Sequence, residues 1–287
     1  MQIGQWTLHA VDTGRFRLDG GAMFGVIPKT LWNKTNPADE KNRIEMALRT
    51  LLLDNGKQKI IVDTGIGTKF SEKEALIYGI DHARFQIDIE LHKIGLSRLD
   101  ITDVFLTHLH FDHAGGTTYR EGGELKLTFP NAKYHIDRFH YEWAMQPTKR
   151  DKASFLGENF QFLEEKGVLH FFDGKDCSLW PQTKVIKVHG HTPHQSLLQV
   201  FDGSETLLYC ADLIPMSSHI PLPWIMGYDL NALQTLGEKE IILEQAVREN
   251  WILFFEHDPF FEAARVENTE KGDFRARTLF NLDSSQP

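Results

Sequence analysis

Cysteine is scarce in this chain: Cys177 and Cys210 are the only two among 287 residues, and neither stands in a paired metal-ligand spacing. That argues against a disulfide framework and fits reduced thiols in a cytoplasmic setting. Cys210 falls inside the apolar run LLYCAD and reads as a small buried residue rather than a nucleophile. Long apolar runs are missing as well. No stretch approaches the roughly 20 residues that cross a bilayer. The opening MQIGQWTLHAVDTG has no basic region followed by an apolar core, so neither a signal peptide nor a membrane partner is expected. Positive charge is in deficit, with a formal net charge of −9. Such a chain gains nothing from phosphate counterion release, and nucleic acid is not an expected partner. No solenoid repeat occurs and no Pro/Ser/Gly linker divides the chain, so one domain over residues 1–287 is expected.

What the chain does contain is a series of short β-rich runs. In the first half these are residues 5–11, 47–53, 59–63 and 103–108, each ending at or just before a residue that commonly bounds a strand. Asp54-Asn55-Gly56 between the second and third predicts a hairpin. Helical spacing follows over 71–96, with Gly79 and Gly95 where helices commonly stop. The second half repeats this logic: a helical stretch around 152–166, then VLHFF, TKVIKV, SLLQVF and TLLYCAD. A long helix over 229–249 has Asp229 as its expected N-cap, and WILFFEHD (251–258) closes the series as a buried strand. Two sheet-forming halves with interleaved helices predict an α/β sandwich, helices outside and two sheets inside.

The decisive segment is His108-Leu109-His110-Phe111-Asp112-His113, at the end of a predicted strand, where loops commonly carry sites. Burying these imidazoles and this carboxylate without partners costs several kcal/mol each. As a set they suit Zn, Mn, Fe or Co rather than Ca or Mg. Ala114-Gly115-Gly116 is expected to supply backbone freedom beside a crowded shell. An ion needs three or four protein groups. His191 in VHGHTPHQS, Asp212 closing TLLYCAD and His257 near the end of WILFFEHD all sit at strand ends, which lets distant segments converge on one sheet edge. His189 and His194 flank His191 and are candidates to orient it. His9, His82, His92, His135, His140, His170 and His219 have no ligand partner in sequence and are read as structural or surface residues.

This order of residues resembles the metallo-β-lactamase superfamily over nearly the whole chain. The resemblance implies a four-layer αβ/βα sandwich of the metallo-β-lactamase type and two divalent metal ions per chain, zinc first among the candidates. It implies one ion held by His108, His110 and His191, a second by Asp112, His113 and His257, and Asp212 bridging both. Asp63 in IIVDTGIG matches the family's early Asp-x-Gly, which supports the metal loop through hydrogen bonds. DGGAMFGVIPKTLW (19–32), DEKNRIEMALRTLLL (39–53) and THLHFDHAGG (107–116) are similar to the YtnP-like lactonases, quorum-quenching enzymes that open N-acyl homoserine lactones. The same extended branch includes organophosphate hydrolases resembling methyl parathion hydrolase. Two departures stand out. The family pattern GHTPGH is GHTPH here, one glycine short, which changes where His194 points. Some lactonases also place a tyrosine three residues after the bridging aspartate, and this chain has Pro215 there.

Two cations roughly 3.5–4 Å apart can share a water and hold it as hydroxide at neutral pH. The expected reaction is attack of that hydroxide on a lactone or ester carbonyl. The second ion polarises the carbonyl, and Asp112 serves either as ligand alone or also as the proton carrier to the leaving alkoxide. An acyl tail needs an apolar groove. Met23, Phe24 and Ile220 are the candidate substrate contacts, joined by Leu222, Trp224 and Met226 in a loop constrained by Pro215, Pro221 and Pro223. The same apolar residues are alternative candidates for simple packing or for a homodimer contact. Phosphotriester hydrolysis by the same hydroxide, and a metal-binding scaffold without turnover, are the competing readings.

Overall fold

Successive side chains of a strand point to opposite faces, and the runs Leu51-Leu52-Leu53, Ile60-Ile61-Val62 and Val104-Phe105-Leu106 have no polar face to offer water. They must be covered on both sides. The computed structural model shows how. It describes residues 1–173 and 177–282, so positions 174–176 and 283–287 of the expected domain lie outside the described residues. Leu51, Leu53, Ile60, Val62 and Phe105 enter a core between two sheets. Leu52, Ile61, Val104 and Leu106 face a second core under a layer of helices.

The first sheet has the order β1-β2-β3-β4-β5-β8-β9. Its strands are β1 (Gln2–Ile3), β2 (Trp6–Asp19), β3 (Arg43–Asp54), β4 (Lys59–Val62), β5 (Asp103–Phe105), β8 (Lys133–Asp137) and β9 (Leu169–Phe172), while β6 (Thr118–Glu121) and β7 (Glu124–Leu127) form a separate hairpin. The second sheet runs in sequence order through β10 (Thr183–Val188), β11 (Gln195–Phe201), β12 (Thr206–Tyr209), β13 (Ile252–Phe254), β14 (Ala263–Asn268) and β15 (Phe274–Phe280). The helices are α1 (Gly20–Phe24), α2 (Lys29–Trp32), α3 (Glu72–Tyr78), α4 (Ile87–Lys93), α5 (Phe111–Ala114), α6 (Arg138–Met145), α7 (Gln161–Glu165) and α8 (Ala232–Arg248). Ile87 and Leu91 of α4, Tyr141 and Ala144 of α6 and Leu163 of α7 cover the first sheet. Ile242, Leu243 and Ala246 of α8 pack with the second. The layers are therefore helix, sheet, sheet, helix.

Two parallel pairs position the site. β4 and β5 run parallel, as do β12 and β13. The segments that leave each pair, 63–67 with 106–113 and 210–213 with 255–258, thus emerge at one end of their sheet. Ser196 N–H donates to the Thr107 carbonyl at 2.9 Å and joins the two ends across the sandwich.

Several expected bounds move. The strand expected at 5–11 continues to Asp19, past a register shift between Asp12 and Arg15. β5 stops at Phe105 because the following residues are committed to the loop. The 71–96 stretch divides into α3 and α4, and Gly79 ends α3 in the left-handed region at φ 56°. The 152–166 stretch is helical only at α7, after two short 3₁₀ turns. There the Asn159 and Glu158 carbonyls accept from the hydroxyls of Thr117 (2.5 Å) and Thr118 (3.2 Å). The hairpin at Asp54 forms, with Asp54 paired to Lys59. Asn231, not Asp229, caps α8, its Oδ1 accepting from Gln234 N–H at 3.2 Å. The β14–β15 hairpin was not foreseen, although Phe274, Ala276 and Phe280 alternate along β15 and pack against the core between the sheets.

Candidate metal centre

The ligand-type side chains come from four segments: the loop after β5, the loops after β10 and β12, and the end of β13. Ligand atoms of His108, His110, His191 and Asp212 lie within 4.8 Å of one another, and so do those of Asp112, His113 and His257. His110 Nδ1 is 3.1 Å from both His108 Nε2 and His191 Nε2. His113 Nε2 and His257 Nε2 are 3.2 Å apart, with Asp112 Oδ2 at 3.8 Å from the latter. Asp212 lies between the groups. Its Oδ2 is 3.1 Å from His191 Nε2, 3.8 Å from His108 Nε2 and 3.4 Å from His113 Nε2, and its Oδ1 is 3.3 Å from His257 Nε2. A tetrahedral ion with bonds of 2.0–2.1 Å spaces its ligands about 3.3–3.4 Å apart. The spacings fit two such ions sharing Asp212.

The rear nitrogens of four rings are already engaged, while His110, which faces the cluster through Nδ1, has no partner at Nε2. His191 Nδ1 donates to Asp229 Oδ1 (2.9 Å) and His257 Nδ1 to the Ala47 carbonyl (2.9 Å). His108 Nδ1 donates to Thr107 Oγ1 (3.0 Å), and that hydroxyl in turn donates to Asp63 Oδ2 (2.7 Å). His113 Nδ1 faces Asp63 Oδ2 at 3.1 Å and Glu256 Oε2 at 2.9 Å. With these hydrogens committed outward, the Nε2 lone pairs of four rings point inward at a buried carboxylate whose Oδ1 has no hydrogen-bond donor. Lone pairs facing a carboxylate at such distances need a cation or a proton between them. The donor set therefore fits a pair of divalent ions.

Electrostatics of the ion-free protein agree. Burial pushes His108 and His110 well below the ordinary imidazole range. Burial also opposes charge on His191, but Asp212 and Asp229 override it and raise the ring to about 9. Glu256 and Asp212 likewise lift His113 against burial, and Asp212 lifts His257. Asp212 is held well below the carboxylate range by His113 and His191 despite burial. Burial, aided by Asp63 and opposed by His113, pushes Glu256 up to about 7.

Asp63 sits where the resemblance placed it, under the loop. It occupies the left-handed region at φ 59°, which aspartate tolerates better than most residues, and its Oδ1 accepts from Thr107 N–H at 2.8 Å. His189 and His194 do not orient His191. They pack on each other, with His194 N–H donating to His189 Nδ1 at 3.1 Å, and Asp229 has the orienting contact instead. Four supporting residues were missed: Asp229, Glu256, Tyr209 and His140. His140 Nε2 accepts from Leu109 N–H (2.9 Å) and its Nδ1 donates to the Pro193 carbonyl (2.7 Å), so it ties the metal loop to the loop carrying His191. Burial lowers its pKa to about 4, which keeps the ring neutral. Cys210 is buried as expected, and burial pushes its thiol up, away from nucleophilic use.

A cavity of about 410 Å³ opens over Asp112, His191, Asp212 and His257. Met23, Met46, Phe111 and Met226 line it with apolar side chains, and Tyr78, Arg150, Ser154 and Tyr228 bring polar atoms to it. Of the three candidate substrate contacts Met23 lines it, whereas Phe24 and Ile220 do not. Phe24 is fully buried, stacked between Trp32 (5.3 Å) and His219 (4.7 Å). Ile220 belongs to the core between the sheets. Both are apolar enough to be taken up by packing rather than left at a wall.

A family model described as the metallo-beta-lactamase superfamily matches residues 49–257. An N-acyl homoserine lactonase from a Bacillus species is 26% identical over 266 residues, 88% of this chain and 92% of that protein. The crystal structure of a probable metal-dependent hydrolase from Staphylococcus aureus superposes with a TM-score of 0.88 at 28% identity, covering 100% of both chains. That of AidC, a dizinc quorum-quenching lactonase in complex with a product, superposes with a TM-score of 0.80 at 22% identity, over 98% of this chain and 97% of that one.

Proposed function

The chain belongs to the metallo-beta-lactamase superfamily of hydrolases, and from that premise we propose that it opens the lactone ring of N-acyl homoserine lactones with two metal ions. The observation that carries this reading is the cavity over the convergent imidazoles and carboxylates, whose lining combines methionine and phenylalanine side chains with tyrosine, serine and arginine. Such a cavity suits a substrate with an apolar tail joined to a polar head. The relation to N-acyl homoserine lactonases at about 26% identity supports the substrate class.

In this reading His108, His110 and His191 would hold one ion and Asp112, His113 and His257 the other, with Asp212 a ligand available to both, zinc being the ion. When bound, the ions supply Lewis acidity and lower the pKa of water. The remaining tasks belong to side chains of this chain. Asp112, at the cavity floor, takes the proton of the attacking water and hands it to the leaving alkoxide oxygen. Met23, Met46 and Met226 receive the acyl tail. Asp63, Asp229 and His140 hold the imidazoles and their loops in place, so no geometry has to be built as the reaction proceeds. Pro215 offers no hydroxyl, and its carbonyl accepts from His257 N–H at 3.1 Å. Phenol donors at the cavity come instead from Tyr78 and Tyr228.

The test is a panel of acyl homoserine lactones of increasing tail length beside a phosphotriester, with ion content known and acid release followed. Ring opening whose kcat/KM rises with tail length is expected, with the triester far behind. A chain that turns over the triester and spares the lactones overturns the substrate assignment. A fully loaded chain inert to both overturns the enzyme reading of this site.

A further inference from the structure

Glu256 directly precedes His257, yet its carboxylate lies behind the metal loop. Its Oε2 is 2.9 Å from His113 Nδ1 and accepts from the Tyr209 hydroxyl at 2.6 Å. Asp63 Oδ2 is 3.1 Å from the same nitrogen. Both carboxylates are 0% exposed, and Glu256 Oε1 has no hydrogen-bond partner. One N–H therefore faces two buried carboxylates where a single acceptor is enough to fix a ring.

The other ligands lack this doubling. His191 has Asp229, His108 has a threonine hydroxyl, and His257 has a backbone carbonyl. Asp63 is already seated by the Thr107 N–H and hydroxyl, so Glu256 is surplus to orientation. What it adds is negative charge. Among the described residues no lysine or arginine stands within ion-pair distance of Glu256, whose one ion-pair contact is His113. A buried charge needs a cation, and the nearest place for one is the far side of that imidazole.

Resting on the two-ion reading above, we infer that Glu256, seated by Tyr209, is a positioning residue whose buried charge selectively strengthens ion binding at the Asp112–His113–His257 site. A carboxylate accepting from the rear N–H makes a ligating imidazole a better donor, and in a low-dielectric interior its charge also attracts the ion through the ring. Its contact is with His113 and not with His108, His110 or His191. Neutralising Glu256 therefore weakens ion binding at one site and leaves the other as it was.

The experiment uses full-length protein stripped by a chelator and titrated with zinc against a chromophoric chelator. Wild type takes up two equivalents. In Glu256→Gln one site keeps its affinity and the other weakens about 10–100-fold. Tyr209→Phe removes the hydroxyl that donates to Glu256, along with its longer contact to the Arg49 carbonyl at 3.3 Å, and weakens the same site by less, which keeps the inference testable where Glu256→Gln does not fold. Wild-type affinity at both sites overturns the inference. So does equal weakening of both sites, the mark of a merely structural residue. A wild-type chain that binds a single equivalent overturns the two-ion reading and this inference with it.

Discussion

Each imidazole at the centre has two nitrogens, and the contact made by the rear one decides what the front one can do. Asp229 illustrates this through His191. In Asp229→Ala the rear N–H loses its acceptor, and zinc affinity at the His108–His110–His191 site should fall about 10–100-fold, measured by chelator competition. Unchanged affinity would show that the ring is oriented by other means. Protonation gives a second check. In the ion-free chain His191 titrates near 9, and His113 and His257 also lie above the ordinary range. At pH 7 His191 carries a proton that an entering cation must displace. Zinc affinity therefore climbs as the pH rises from 6 toward 9. Calorimetry in two buffers of different ionisation enthalpy should register the released protons, and affinity independent of pH would contradict the assignment.

At the scale of elements, the metal loop is shaped by how closely it lies on the loop after β4. A Cβ at Gly115 would stand 2.2 Å from the Ile66 carbonyl oxygen, and one at Gly116 2.1 Å from that of Thr64. Gly115 itself is ordinary right-handed backbone at φ −61°. Close approach, rather than the backbone freedom expected from the sequence, is what requires glycine here. Gly116→Ala should cost about 1–3 kcal/mol or more and lower zinc uptake, read from denaturant unfolding and ion content together. Helix α8 offers a contrast. Asn231→Ala removes its N-cap and should cost about 1 kcal/mol with zinc affinity unchanged, although Asp229, the cap expected from the sequence, lies only two positions away. A loss of zinc affinity in Asn231→Ala would mean that the cap and the site are coupled.

At the scale of the whole molecule, two buried cations brace the loops around the cavity. Arg49 of β3 donates to the carbonyls of Phe255 (2.9 Å), Asp258 (3.0 Å) and Phe261 (3.3 Å), fastening the end of β13 to the opposite sheet. Lys239 of α8, 1% exposed, donates to the carbonyls of Pro221 (2.7 Å), Leu222 (3.4 Å) and Trp224 (3.0 Å) in the loop that leads to Met226. Burial lowers Lys239 from 10.5 to about 7. Because the unfolded chain holds this proton up to about 10.5 and the folded chain releases it earlier, its contribution to stability grows as the pH rises through that window. The contribution is lost as pH falls through 7. The stability difference between wild type and Lys239→Met should shift in favour of wild type from pH 7 to 10, by up to roughly 1.4 kcal/mol per pH unit. A difference that stays flat would mean that the three carbonyls keep the lysine charged.

The identity and order of the donors were legible in the chain itself. HLHFDH beyond a short strand, with His191, Asp212 and His257 after later strands, carries its chemistry in residue type and local spacing, and neither depends on how the sheets dock. The two-sided burial of Leu51–Leu53 and Ile60–Val62 was legible for the same reason, because alternation along a strand is a local property. Docking alone decided that Asp229 turns to His191, that Glu256 stands behind His113 and that His140 joins two loops. Those partners lie far apart along the chain or follow no periodic pattern. The cavity walls obey the same logic: Met23 and Phe24 are neighbours of similar apolarity, and only the packing of Trp32 and His219 around Phe24 sends one into the interior and leaves the other at the site.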